Sequence, residues 1–194
     1  MIYLVRHGET TWNRVGRQQG RLDSPLTPKG IEQARATGRA LRRVLPDLDT
    51  VCIETSPLGR ARQTASILCD ELGLDESALV IAPLLIEANF GAWQGLTHAE
   101  IEALYPGARQ AREADKWHYV VPGGESYALV DARARRWLAC RRHAPVTIAV
   151  THEMLSRTMQ GAYGALTQVE TLDRSHRQDR IYRLHNGWIA ELLC

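Results

Sequence analysis

The sequence predicts an α/β fold, a three-layer α/β/α sandwich around a mainly parallel sheet with an antiparallel strand near one edge. Three observations carry that prediction. A short, wholly apolar run at residues 2–5 reads as a strand buried on both faces, and 146–150 (V-T-I-A-V) is the clearest strand of all. Stretches of helical period, opened by Thr27-Pro28 and Ser56-Pro57, alternate with such strands. Near the C-terminus, Asn186-Gly187 is a strong hairpin signal and brings in the antiparallel strand.

Taken in order, residues 2–5 form the first strand. Thr27 caps and Pro28 opens a helix whose Ile31, Ala34, Leu41 and Leu45 recur on one face. Residues 51–53 form a second strand. Ser56-Pro57 repeats the cap-and-proline signature for a helix that stops at Gly73. Residues 79–82 make a third strand. The stretch 83–124, with Pro83, Pro106 and Pro122-Gly123-Gly124, reads as irregular. A helix from about 126 to 143 buries Val130, Trp137 and Leu138, and another starts near Met154 after the clearest strand, 146–150. Strands at 181–184 and 188–193 close the chain.

A length of 194 residues suits one domain, 1–194, with a core of its own. Net charge is only +2, so no nucleic-acid or membrane partner is expected, and affinity for an anion must come from where individual arginines sit. No apolar run approaches the roughly 20 residues that cross a bilayer, and the first residues do not read as a signal peptide. Cys52, Cys69, Cys140 and Cys194 form no C-x-x-C pair; they read as reduced thiols of a cytoplasmic protein.

Function is read from what each strand delivers, because ligands of open α/β sheets sit beyond the carboxyl ends of the strands. The first strand delivers Arg6-His7-Gly8, the second Ser56 and then Arg60, the third Glu87, and the fourth Thr151-His152. Each residue alone is an ordinary strand-end residue; together they suit phosphoryl transfer. Arg6 and Arg60 offer forks that match phosphate oxygens, and the helix after Ser56-Pro57 adds its positive end. A neutral His7 can attack phosphorus and hold it as phosphohistidine. Gly8 lets backbone approach the anion. A cationic His152 adds charge at the equatorial oxygens, and Glu87, its pKa raised, protonates the leaving alkoxide. No cluster has metal-ligand spacing, so neither metal nor cofactor is expected.

These residues, in R-H-G-E-T-T-W-N (6–13), R-Q-Q-G (17–20), L-T-P-K-G (26–30), S-P-L-G-R-A-R-Q-T-A (56–65), E-A-N-F-G-A-W-Q-G (87–95), P-G-G-E-S (122–126) and V-T-H (150–152), make the chain resemble the histidine phosphatase superfamily. The blocks occur in family order over about residues 1–165. The resemblance implies that His7 is the phosphorylated nucleophile, that Arg6, Arg60 and His152 complete the phosphate pocket, and that Glu87 is the proton donor. It also implies a phosphoryl contact from Asn13, places Thr10, Gln19 and Gly20 along the pocket, and allows a homodimer. Trp12 and Trp93 read as packing beside the site. One departure stands out: relatives follow the second histidine with a small residue, whereas this chain has Glu153. Glu153 either meets a helix N-terminus or narrows the range of anionic substrates.

The resemblance leaves a phosphatase of small phosphorylated metabolites, a cofactor-dependent phosphoglycerate mutase and a non-catalytic binding module on the same fold. The short, weakly basic stretch 105–121 (Arg109, Arg112, Lys116) favours the phosphatase; Lys116 to Tyr119 read as a specificity lid. The Asp47 and Asp49 pair imitates a metal-dependent aspartate phosphatase but precedes its strand and reads as a helix-to-strand turn. No cysteine has an arginine six residues on, which removes the cysteine phosphatases.

Overall fold

The computed structural model describes residues 1–45, 47–48, 50–141 and 146–194. In chain order the elements are β1 (Ile2–Arg6), α1 (Thr11–Arg14), α2 (Pro28–Val44), β2 (Cys52–Thr55), α3 (Gly59–Leu72), β3 (Leu79–Ile81), α4 (His98–Leu104), α5 (Ala108–Ala114), α6 (Tyr127–Ala139), β4 (Thr147–Thr151), α7 (Glu153–Tyr163), α8 (Gln168–Asp173), β5 (Arg180–His185) and β6 (Trp188–Leu193).

Among the described residues the strands form one sheet in the order β3-β2-β4-β1-β5-β6. The first four are mutually parallel, while β5 runs against both of its neighbours. Side chains alternate across β1 as a pleated strand requires. Ile2 and Leu4 pack on one face with Val130 and Trp137 of α6 and Leu155 and Met159 of α7. Tyr3 and Val5 pack on the other with Leu41 of α2 and Ala61 and Leu68 of α3. A sheet covered on both faces explains why its central strands carry unbroken apolar runs.

Local chemistry sets the ends of the elements. Thr27 accepts a hydrogen bond from the Gly30 amide and Pro28 occupies the first turn of α2, as the sequence predicts. The β5–β6 turn places Asn186 at φ 48° and Gly187 at φ 79°, the two positive angles that a type I′ hairpin demands.

Three expectations change. The helix after β2 starts at Gly59, not at Ser56-Pro57: Ser56 Oγ accepts from the Leu58 amide in a turn, and the Asp23 carboxylate, from a distant loop, caps the Gly59 and Arg60 amides. The stretch 83–124 holds α4 and α5, and α4 opens on a capping box of Thr97 and Glu100 that T-H-A-E announces in the sequence. Trp117 belongs to the core rather than to a lid, stacked on Tyr127 with ring centroids 6.0 Å apart. Pro46, Asp49 and the expected helix end at His143 lie outside the described residues. Among those described, no helix is long and apolar enough to cross a membrane.

Candidate active site

Strand β4 lies between β1 and β2, and its carbonyls bring their carboxyl ends together. The His7 amide donates to Thr151 O (3.0 Å) and the Ser56 amide to Val150 O (3.0 Å). His7, Ser56 and His152 therefore emerge side by side where the strands stop. Glu87 arrives differently. Its strand, β3, is at the sheet edge, and a buried turn anchored by Thr151 Oγ1 donating to Leu85 O (3.0 Å) carries the chain over to the site.

His7 is 3% exposed. Its Nδ1–H donates to Gly8 O (2.8 Å), so Nε2 is the unprotonated nitrogen and accepts from Arg60 Nε (3.3 Å). Burial, then the guanidinium groups of Arg60 and Arg6, push its pKa well below 6.5 and keep the ring neutral. The absent side chain of Gly8 serves packing: a Cβ there would run into the carbonyl of Gly30 in α2. That corrects the expectation that Gly8 makes room for an anion.

Arg60 is held on three sides, donating from Nη1 to Leu22 O (2.7 Å) and Asp23 Oδ1 (3.0 Å) and from Nη2 to Gly20 O (2.7 Å). This web aims Nε at His7. Arg6 donates from Nη1 to His176 O (2.8 Å) and pairs with Glu153 Oε2 (2.6 Å), while its buried Nε has no partner.

His152 is wholly buried, with its ring centroid 5.2 Å from that of His7. Burial, with Arg60 close by, lowers its pKa well below 6.5, so it is a neutral donor and not the expected cation. His152 Nε2 lies 2.8 Å from Ser56 Oγ, and its Nδ1 is buried without a partner. A phosphoryl oxygen at His7 would satisfy it. The Glu87 carboxylate sits at the N-terminus of α7 and accepts from the amides of Ala88 (2.8 Å), Met154 (3.3 Å) and Leu155 (3.3 Å). Those bonds favour its charged form, yet burial outweighs them and raises its pKa above 4.5.

A cleft of about 550 Å³ opens over these groups and is lined by Arg6, His7, Arg60 and Glu87, with Asn13, Gln19, Gly20 and Glu153 along its walls. The sequence matches the histidine phosphatase superfamily (branch 1) over residues 2–185. The chain belongs to that family. It is 38% identical over 144 residues to a protein of Yersinia pestis (strain Pestoides F) described as "Probable phosphoglycerate mutase GpmB". That match covers 74% of this chain but only 60% of the relative's length. Among solved structures, a mycobacterial glucosyl-3-phosphoglycerate phosphatase, solved with VO3, superimposes with a TM-score of 0.78 at 29% identity, covering 100% of this chain and 96% of that one. The α-ribazole phosphatase of Shigella flexneri shares the fold, with a TM-score of 0.78 at 23% identity, covering 99% and 94%.

The remaining candidate site residues of this member of the histidine phosphatase superfamily have distinct placements. Asn13, which lines the cleft, has its Oδ1 engaged by the Thr10 amide (3.1 Å) and Gln178 Nε2 (3.2 Å). Gln19 is steadied by Ser24 Oγ (3.0 Å). Gly20 takes φ 54° and gives its carbonyl to Arg60. Thr10 is placed apart from the cleft lining: its hydroxyl, fully buried, caps the Asn13 amide. Sequence reasoning missed Asp23, Arg157 and Tyr127, and placed Ser56 at the rim and as a cap without giving it a partner in His152. Asp23 acts on Arg60 across 37 positions, so no local pattern announces it, whereas Arg157 pairs with Glu153 at i,i+4, a spacing the sequence already carries. His176 was missed as well; it is buried, accepts from Ser156 Oγ at Nδ1 (2.6 Å) and offers its carbonyl to Arg6.

Three buried neutral histidines make folding stability pH-dependent. His176 is pushed down to about 3, and His7 and His152 also fall well below 6.5. The unfolded chain takes up protons at these rings as pH drops below 6.5 and the folded chain does not, so acid destabilises the protein. His176 alone represents a loss on the order of 4 kcal/mol by the time its folded value is passed. Glu87 works in the opposite sense, since its raised pKa costs stability above 4.5 and that cost vanishes in acid. With three rings against one carboxyl, the urea midpoint is expected to fall steadily from pH 7 to pH 4. A level profile would contradict burial of the neutral rings.

Proposed function

We propose that the protein is a phosphomonoesterase that moves the phosphoryl group of a small phosphorylated metabolite to His7 and then to water, using neither metal nor cofactor. One observation carries this reading: a buried, neutral His7 with Nδ1–H tied to Gly8 O and Nε2 left unprotonated beside Arg60. Attack on phosphorus forms the Nε2–P bond as the ester P–O bond breaks. The departing electron pair stays on the ester oxygen, which takes the proton of Glu87. Arg6, Arg60 and the His152 Nδ1–H hold the equatorial oxygens as charge builds on them. Water then attacks phosphorus and gives Glu87 a proton, and the N–P bond pair returns to Nε2.

The first step needs His7 neutral and Glu87 protonated. The lowered His7 value places the acid limb of kcat/KM below pH 6.5, and the raised Glu87 value places the alkaline limb above pH 4.5. Glu87→Gln is expected to slow an alkyl phosphate by roughly 10²–10⁴-fold and p-nitrophenyl phosphate far less, because nitrophenolate leaves without a proton. Equal losses for both esters would assign the acid elsewhere.

The decisive test is phosphate release from a panel of monoesters in EDTA, with acid-labile, alkali-stable phosphate trapped on the protein in a rapid quench. Release that stops in EDTA, or an acid-stable adduct, would overturn the proposal. The relative described as a phosphoglycerate mutase favours a second reading, isomerisation of phosphoglycerate on the same His7. Interconversion of 2- and 3-phosphoglycerate faster than phosphate release would establish it instead.

A further inference from the structure

The cleft wall beyond the phosphate pocket has its positive charge already answered. Among the described residues, four arginines line the cleft: Arg6, Arg17, Arg60 and Arg157. Arg6 and Arg60 flank His7. Arg17 holds the Glu100 carboxylate with both forks (2.8 and 3.1 Å), and Arg157 Nη2 holds Glu153 Oε1 (2.9 Å). Arg157 is further set by Tyr127, whose hydroxyl accepts from Nη1 (2.9 Å), and by Leu172 O (3.3 Å). The other Glu153 oxygen reaches Arg6, so one carboxylate spans the phosphate-binding arginine and the next arginine outward. His98, an exposed residue also on the wall, has its pKa lowered by partial desolvation and by nearby Arg109 and Arg112. Beyond it, Arg112 and Lys116 line a separate pocket and share Glu113.

We infer that Glu153 determines specificity: by holding Arg157 it leaves the leaving-group end of the cleft without net positive charge, and so selects monoesters of uncharged, hydroxyl-bearing alcohols over esters carrying a second anionic group. The inference rests on the phosphatase reading and adds the substrate class. A phosphoryl group arriving at Arg6 displaces one Glu153 oxygen, while Arg157 keeps the other. The carboxylate then faces the leaving group. A hydroxyl donates to it; a carboxylate or second phosphate is repelled and finds no free guanidinium.

Glycerol 3-phosphate and 3-phosphoglycerate test this directly, because they differ at the far end only in a hydroxymethyl against a carboxylate. Wild type is expected to favour glycerol 3-phosphate by about tenfold or more in kcat/KM. Glu153→Gln should shrink that ratio by about tenfold, mainly through KM for 3-phosphoglycerate, and Glu153→Asp, which keeps the charge, should preserve it. A wild-type ratio near one, or a ratio unchanged in Glu153→Gln, would overturn the inference. If neither ester is hydrolysed, the monoester panel still decides the phosphatase reading separately, and the ratio of the two dissociation constants measured by calorimetry decides the charge preference.

Discussion

His7→Ala is expected to lower phosphate release by about 10⁴-fold or more on every ester and to abolish the trapped phosphoenzyme, because the side chain removed is the atom that phosphorus bonds to. His152 is the neighbouring imidazole, but it is wholly buried behind the cleft lining and its Nε2 is occupied by Ser56 Oγ. Loss of a 3% exposed ring leaves a small cavity, so the variant must be shown folded by its near-ultraviolet spectrum before its inactivity is read as chemistry. More than about 1% residual kcat in a folded variant would move the nucleophile away from His7.

Arg60→Ala is expected to damage both chemistry and folding. The guanidinium is 1% exposed on its side chain and satisfies the carbonyls of Gly20 and Leu22 together with Asp23. Without it the Gly20 carbonyl and the Asp23 carboxylate lose a charged partner, which costs about 2–4 kcal/mol. For a chain of this size that lowers Tm by roughly 5–15 °C. The loss of a preorganised donor to the transferring phosphoryl group should reduce kcat by about 10²–10³-fold besides. Arg60→Lys separates the two effects: it restores charge but cannot reach Gly20, Leu22, Asp23 and His7 at once, so its Tm should stay low. A lysine variant with full activity and wild-type Tm would show that the fork geometry is irrelevant.

Much of this protein is written in local pattern. The alternation of apolar strands with capped helices follows from periodicity, and the sites of the hairpin and of the α2 start follow from Asn186-Gly187 and Thr27-Pro28, because turn and cap chemistry act over a few neighbouring residues. Arg6, His7, Arg60, Glu87 and His152 were legible as strand-end residues, since a parallel sheet collects such ends on one rim. Read with the ordered motifs, they identify the family. The short helix α4 was legible too, had the Thr97–Glu100 box been weighed.

The tertiary structure alone decided the rest. Gly8 is needed against Gly30, a contact across 22 positions, so the sequence suggested an anion where the backbone required space. His152 carries no charge because it is sealed from water beside two arginines, and burial is not a property of residues 151–153 taken alone. The α3 cap comes from Asp23 and not from the adjacent Ser56, because a charged carboxylate 37 positions from Arg60 reaches both the helix amides and the guanidinium. Arg6 likewise meets Glu153 only through the fold, whereas the Glu153–Arg157 pair is local, at i,i+4. Residue types and their spacing determined which chemistry this chain carries; desolvation and pairing, which exist only once distant segments pack, decided the charge each group holds while doing it.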